Sequence, residues 1–180
     1  MEIDINSAFL RGIEGKEVGE RVNRKTWDDY FMDISHMVGS RATCRRHNVG
    51  AIIVKDKRVI SSGYNGAPKG MKDCLELGCL RDQLGIKSGT HHEICRAIHA
   101  EQNSIIQAAF HAVSTKDSVM YVTITPCLIC AKMIINAGIK KVIYDGEYTG
   151  ADGVKFLESA GIEVVNYKTD RLNRYTTDKY

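Results

Sequence analysis

Two short stretches carry residue types able to do chemistry together: His99-Ala100-Glu101 and Pro126-Cys127-Leu128-Ile129-Cys130. One imidazole and two thiolates form a donor set that suits zinc, and three donors rather than four leave a coordination position for water. Thiolates are favoured at a helix start, where the partial positive charge of the N-terminus lowers a nearby thiol pKa. Pro126 fits the same first turn, because its missing N–H costs nothing there. Zinc, two thiolates and a neutral imidazole sum to roughly zero charge, so a bound water needs local help to lose its proton. Glu101, two residues from His99, can take that proton and pass it to a substrate nitrogen. The role asks for a raised carboxyl pKa, which a closed and partly apolar pocket provides. Taken alone, the Cys-x-x-Cys would equally serve a redox dithiol or half of a structural zinc knuckle. The redox reading lacks a thioredoxin-like order of elements and leaves His99 and Glu101 without a purpose. A zinc-stabilised binding module without catalysis would need no carboxylate at position 101.

The chain that holds these residues has 180 positions, with 25 Lys+Arg against 22 Asp+Glu and a formal net charge of +3. That length favours one domain with a single buried core. A composition of 43% hydrophobic and 26% charged residues excludes long disorder, a fibrous repeat and a collagen-like chain. The small net charge gives no bulk attraction to polyanions, so no nucleic-acid partner is expected. No apolar run approaches the roughly 20 residues of a membrane span, and the N-terminus lacks a basic-then-apolar leader. The expected compartment is the cytoplasm, where thiols stay reduced. Six cysteines there point to metal or catalysis before disulfides.

Residues 1–24 are polar and aperiodic, and read as an N-terminal extension. From Thr26 on, Trp27, Tyr30, Phe31, Ile34, Met37 and Val38 recur at helical spacing, with Thr26 or Asp28 available near the N-cap, which predicts an amphipathic helix with an aromatic core stripe. Val49–Val54 is a continuous apolar run, as in a strand covered on both faces. Lys55–Arg58 reads as a turn and Val59–Tyr64 as the returning strand. Residues 69–95 read as irregular. Helix and strand then alternate: helix 97–110, strand Val119–Ile124, helix 127–137, strand Lys141–Asp145, helix 152–160 and strand Ile162–Tyr167. Such alternation implies parallel strands with right-handed crossovers, following the antiparallel hairpin. The paired cysteines then fall at the carboxyl end of a strand, the edge where open α/β sheets hold ligands. The domain is expected over 25–167, with 168–180 a polar tail.

The pairing of His-x-Glu with Pro-Cys-x-x-Cys resembles the cytidine deaminase superfamily, whose members share this signature. More narrowly, the chain is similar to the deoxycytidylate (dCMP) deaminase family. The residues behind that likeness are Ser40–Cys44, Val49–Ala51, Gly63–Pro68, Cys95-Arg96, His99–Glu101, Tyr121–Thr123, Pro126–Cys130 and Ala137–Ile139. The resemblance implies a three-layer α/β/α sandwich around a five-stranded mixed sheet. It implies hydrolytic deamination of dCMP to dUMP and ammonia, supplying dUMP for thymidylate synthesis. Zinc hydroxide would attack the pyrimidine C4, with His99, Cys127 and Cys130 holding the metal and Glu101 shuttling protons. Asn65 would bond the substrate sugar, and the backbone around Ala100 would meet the base amide edge. Tyr148 would line the pocket; a surface aromatic is the other reading of that residue. The family commonly forms homo-hexamers and responds to dCTP as activator and dTTP as inhibitor.

Cys44, Cys74, Cys79 and Cys95 remain. Four thiols could close a second, structural zinc site that pins the segment 69–95, and some family members carry one there. Cys44 and Cys74 resemble its ligands, and the fourth ligand stays open between Cys79, His92 and Cys95. The alternative makes Cys44 and Cys95 buried small hydrophobes. A 5′-phosphate asks for Arg or Lys, for which Arg41, Arg45, Arg46, Lys69 and Arg96 are candidates by proximity to the motifs. His36, His47 and His111 have no partner pattern and read as incidental.

Overall fold

The computed structural model describes residues 24–148 and 152–171. The expected extension through residue 23 and the tail beyond residue 171 lie outside the described residues. Thr26 begins the first helix, α1 (Trp27–Gly39), by accepting the Asp29 N–H with its side chain, which satisfies a donor left unpaired at the helix start. β1 (Gly50–Lys55) and β2 (Arg58–Tyr64) form an antiparallel hairpin. Its turn residues Asp56 and Lys57 both take positive φ, at 49° and 59°, as the tight two-residue hairpin turn requires. Two one-turn helices follow, α2 (Cys74–Leu77) and α3 (Leu80–Gln83), then a 3₁₀ turn at His92–Ile94. The regular part runs α4 (Ala100–Phe110), β3 (Val119–Ile124), α5 (Leu128–Asn136), β4 (Lys141–Gly146), α6 (Asp152–Ser159) and β5 (Glu163–Asn166).

The strands lie in the order β2-β1-β3-β4-β5. β1 is antiparallel to β2 and β3, whereas β3, β4 and β5 run parallel. The apolar run of β1 is covered on both faces, as its composition predicts. Ile52 and Val54 pack with Phe31 and Met32 of α1. Ala51 and Ile53 pack with Ala100, Ile134 and Leu157 from α4, α5 and α6. The expected three-layer sandwich with a five-stranded mixed sheet is therefore present, with α1 on one face and three helices on the other. Among the described residues no helix is long and apolar enough to cross a membrane.

Three expectations are corrected. The buried stripe of α1 is Phe31, Met32, Ser35 and Gly39, while Trp27, Tyr30 and Met37 stand exposed. The cause is a close backbone approach: a Cβ on Gly50 would lie 2.0 Å from the Ser35 carbonyl oxygen. Small residues thus face the sheet, and the aromatic side chains are displaced to the rim, where Trp27 stacks on Phe31 at 5.5 Å. The segment 69–95 holds short helices rather than being wholly irregular; α2 is capped by Asp73, whose carboxylate accepts from the Leu75 and Glu76 N–H groups. The last strand ends at Asn166 and residues 167–171 turn into helix. Tyr167 is buried there, with its hydroxyl donating to Asp29 of α1 at 2.6 Å.

Candidate active site and metal centre

His99 is the N-cap of α4, and its backbone N–H donates to the Gln102 side chain at 2.9 Å. Ile98 exchanges two backbone hydrogen bonds with Gly66, at 2.9 and 3.2 Å, which fastens the approach to α4 against the loop after β2. Cys127 is the N-cap of α5, and Cys130 lies one turn on, fully buried. Thr125 N–H donates to the Gly146 carbonyl at 2.8 Å, joining the loops that leave β3 and β4. Both helix starts therefore meet at the carboxyl ends of parallel strands, the edge where open α/β sheets hold ligands.

The three donors converge. His99 Nδ1 lies 3.5 Å from Cys127 Sγ and 3.4 Å from Cys130 Sγ. A tetrahedral zinc with Zn–S of about 2.3 Å and Zn–N of about 2.05 Å sets nitrogen and sulfur about 3.5 Å apart. The donor set fits zinc in both type and spacing. The same three groups shift one another's pKa values. Cys127 is held well below the usual thiol range, first by the Cys130 S–H and then by His99. Cys130 is correspondingly raised, because it donates to Cys127 and is buried. Burial opposes an imidazolium at His99, but the hydrogen bond to Cys127 and the nearby negative charges outweigh it and raise its pKa.

Glu101 is 3% exposed and points its carboxylate into the same cluster, within 4.8 Å of the His99 and Cys130 donor atoms. Burial raises its pKa, partly offset by His99. That is the state a proton shuttle needs, since a carboxyl titrating closer to neutrality can both hold and release a proton.

Gly153, in α6, sets the position of the cysteine pair. A Cβ there would lie 2.0 Å from the Pro126 carbonyl oxygen and 2.9 Å from the Cys127 carbonyl carbon. Gly153→Ala is expected to push the Pro126-Cys127 segment off its geometry and weaken zinc binding by about tenfold or more. Competition with a chromophoric chelator measures this, and an unchanged zinc affinity would refute the positioning role.

The other expected site residues gather unevenly. Asn65, Ala100 and Tyr148 all line the cavity over Glu101 and Cys127. The Asn65 amide accepts from Val49 N–H at 2.9 Å and donates to the His47 carbonyl at 2.8 Å, so it also staples the entry to β1. Tyr148 is a pocket residue rather than a loose surface aromatic. Its hydroxyl accepts from Gly89 N–H at 2.9 Å, and its ring meets His47 edge-on at 5.4 Å. Cys44, Cys74, Cys79 and Cys95 line the same cavity. Burial first, then Cys44, Cys95 and Cys79, raise the Cys74 thiol. Among the described residues, the triads that close within 4.8 Å are His92–His99–Cys127 and His99–Glu101–Cys130; the four remaining thiols are not among them. His92 belongs to the first of these triads, and its ring lies 5.0 Å from that of His99.

Two histidines read as incidental have partners. His36 bonds Asp145 at 2.7 Å, and His47 contributes to the cavity wall. Of the five cations suggested by motif proximity, Arg46 alone is among the residues that line the cavity; Arg81, which no motif marks, lines it too.

A buried carboxyl beside an open three-donor zinc site, at the strand ends of a mixed α/β/α sandwich, defines a zinc-dependent deaminase. The profile of the cytidine and deoxycytidylate deaminase zinc-binding region matches residues 25–145; the chain belongs to that family. It is 40% identical over 152 residues to ComE operon protein 2 of Bacillus subtilis, covering 84% of this chain and 76% of that one. Deoxycytidylate deaminase of Schizosaccharomyces pombe is 34% identical over 145 residues, which cover 80% of this chain but 45% of the yeast enzyme. Among solved structures, dCMP deaminase from the cyanophage S-TIM5 in complex with dCMP and dUMP superposes with a TM-score of 0.66. It shares 34% identity, over 77% of this chain and 94% of that one.

Proposed function

We propose that the chain hydrolyses dCMP to dUMP and ammonia. The observation that carries this reading is the His99–Cys127–Cys130 triangle with Glu101 buried against it. The likeness to the cyanophage enzyme, over nearly its whole length, supports the nucleotide substrate. Zinc, when bound, supplies Lewis acidity and an open position for water. The remaining work belongs to the chain. Glu101 takes a proton from the attacking water and delivers it to the pyrimidine ring nitrogen, then takes the proton of the new C4 hydroxyl and delivers it to the departing amine. Asn65 and Tyr148 orient the nucleotide, Asn65 toward the sugar, while Ala100 offers its backbone to the base edge. Ammonia release with dCMP, CMP, deoxycytidine and guanine offered separately tests the reading, with dCMP expected to dominate. Preference for another member of the panel would overturn the substrate and keep the chemistry.

We propose further that Cys44, Cys74, Cys79 and Cys95 take up a second, structural zinc, which would draw the four thiols together. Their presence among the residues that line one cavity, with Cys74 and Cys79 buried, supports it. Cys74→Ala is expected to lower zinc content by one per chain and reduce Tm by several degrees, with a smaller effect on kcat. Unchanged zinc stoichiometry and Tm would remove the second site.

Homo-oligomerisation, with the hexamer as the expected form, is supported by apolar side chains left exposed on α4 and α5, including Ile106, Phe110 and Ile129. Light scattering measures it, and assays with added dCTP and dTTP test the expected activation and inhibition. A cytoplasmic setting is the expected one, since thiols that hold zinc have to stay reduced.

A further inference from the structure

Ser61 and Gly63 share one face of β2, because residues two apart in a strand point the same way. They lie opposite Ile53 and Ala51 of β1, which pack in one cluster with Ala100 of α4. A strand face covered by helices ordinarily carries apolar side chains. Here it carries a hydroxyl and no side chain at all. The result is a close backbone approach. A Cβ at Gly63 would lie 2.4 Å from the Ala100 carbonyl oxygen and 2.4 Å from the Ser104 nitrogen. In an α-helix those two atoms, four residues apart, are the pair whose hydrogen bond closes the turn, and Glu101 lies within that turn. Three side-chain hydrogen bonds fasten the same turn. Ser61 Oγ donates to the Ser104 carbonyl at 2.6 Å, and Ser104 Oγ donates to the Glu101 carbonyl at 2.8 Å. Asn103 Nδ2 donates to the Tyr64 carbonyl at 2.7 Å. Ser104 is fully buried inside a helix, where serine is otherwise a poor choice.

We propose that Ser61, Gly63 and Ser104 are positioning residues for Glu101: they seat the first turn of α4 on β2 and thereby aim the carboxylate at the metal donors. The inference rests on the proton-shuttle reading of Glu101. That carboxylate is buried and lies within 4.8 Å of the His99 and Cys130 donor atoms, so a shift of its backbone carries straight to the reacting atoms. A misplacement of about 1 Å can cost about a hundredfold in rate. The donors themselves are anchored elsewhere. His99 follows Ile98, which is fastened to Gly66 by two backbone bonds, and the two cysteines belong to the start of α5. Lifting the turn from β2 therefore displaces Glu101 more than it displaces the zinc ligands. The rival account makes Ser61, Gly63 and Ser104 ordinary packing residues, felt equally by every function of the fold.

The test uses zinc-loaded, full-length protein as parent, Gly63→Ala and Ser61→Ala, each also combined with Glu101→Gln. Gly63→Ala is expected to lower kcat by about a hundredfold and Ser61→Ala by about three- to tenfold, with KM within about threefold and zinc content unchanged. In the Glu101→Gln background the same substitutions are expected to change the residual rate by less than about twofold, because the group they aim is gone. Equal losses in both backgrounds are the outcome for ordinary packing and overturn the assignment. So does an unchanged kcat in both single variants, or loss of zinc in Ser61→Ala. Ser61→Ala carries the comparison if Gly63→Ala does not fold. Amide hydrogen exchange on the same proteins reads the turn without turnover. Exchange at Asn103, Ser104 and Ile105 is expected to quicken in Ser61→Ala while α5 keeps the parent rates; a rise throughout the protein overturns the seating. Confined exchange in Ser61→Ala, with a parent that deaminates none of the panel, refutes the proposed reaction and leaves the seating of the turn in place.

Discussion

Glu101→Gln is expected to keep the fold and the bound zinc while lowering dCMP turnover by about 10²–10⁴-fold. The substitution changes almost nothing in size or shape, and at 3% exposure the site tolerates nothing larger. What it removes is the capacity to accept and return a proton. The structure also gives the sign of an accompanying stability change. Burial holds the folded-state pKa of Glu101 above its unfolded value. The unfolded chain therefore releases this proton at lower pH, and the folded state loses stability as pH rises from the unfolded pKa through the folded one. A glutamine carries no such penalty. Metal-free Glu101→Gln should thus be at least as stable as the metal-free parent above that window, while inactive when zinc is restored. Turnover numbers, zinc per chain and Tm on one preparation decide the matter. Activity within about tenfold of the parent would sink the proton-shuttle role.

Cys127→Ala carries the other large effect: loss of the catalytic zinc and of all detectable turnover. Two remaining donors cannot hold the metal in a tetrahedral site. The loss goes beyond coordination, because Cys127 is also the hydrogen-bond partner that raises the His99 pKa. In the parent, His99 and the raised Cys130 thiol would have to give up their protons to hold zinc. Binding should then release protons, and zinc affinity should fall as pH falls. Zinc titration against a chelator at two pH values measures both effects. Full zinc content in Cys127→Ala, or pH-independent affinity in the parent, would contradict the ligand assignment.

The candidate metal donors and Glu101 stand out in the sequence because each is tied to a local feature. His99 and Cys127 are helix N-caps, and Cys130 lies one turn from Cys127. A short-range backbone rule therefore places them before any tertiary contact forms. The sandwich was legible for a similar reason: strand and helix periods alternate, and parallel strands leave few right-handed ways to connect. Only the tertiary structure decided the rest of the pocket. Tyr148 reaches Gly89 and Arg46 reaches Asp82 and Ile86, across 36 to 59 residues of chain. Arg81 stands in a short helix whose sequence carries no periodic pattern, and only the fold brings it to the cavity. The exposed aromatics of α1 illustrate the same limit. Helical spacing made them a stripe, but the backbone contact between Ser35 and Gly50 chose which stripe faces the sheet. Local hydrogen bonding sets what a residue can do, whereas burial and long-range packing set what it meets.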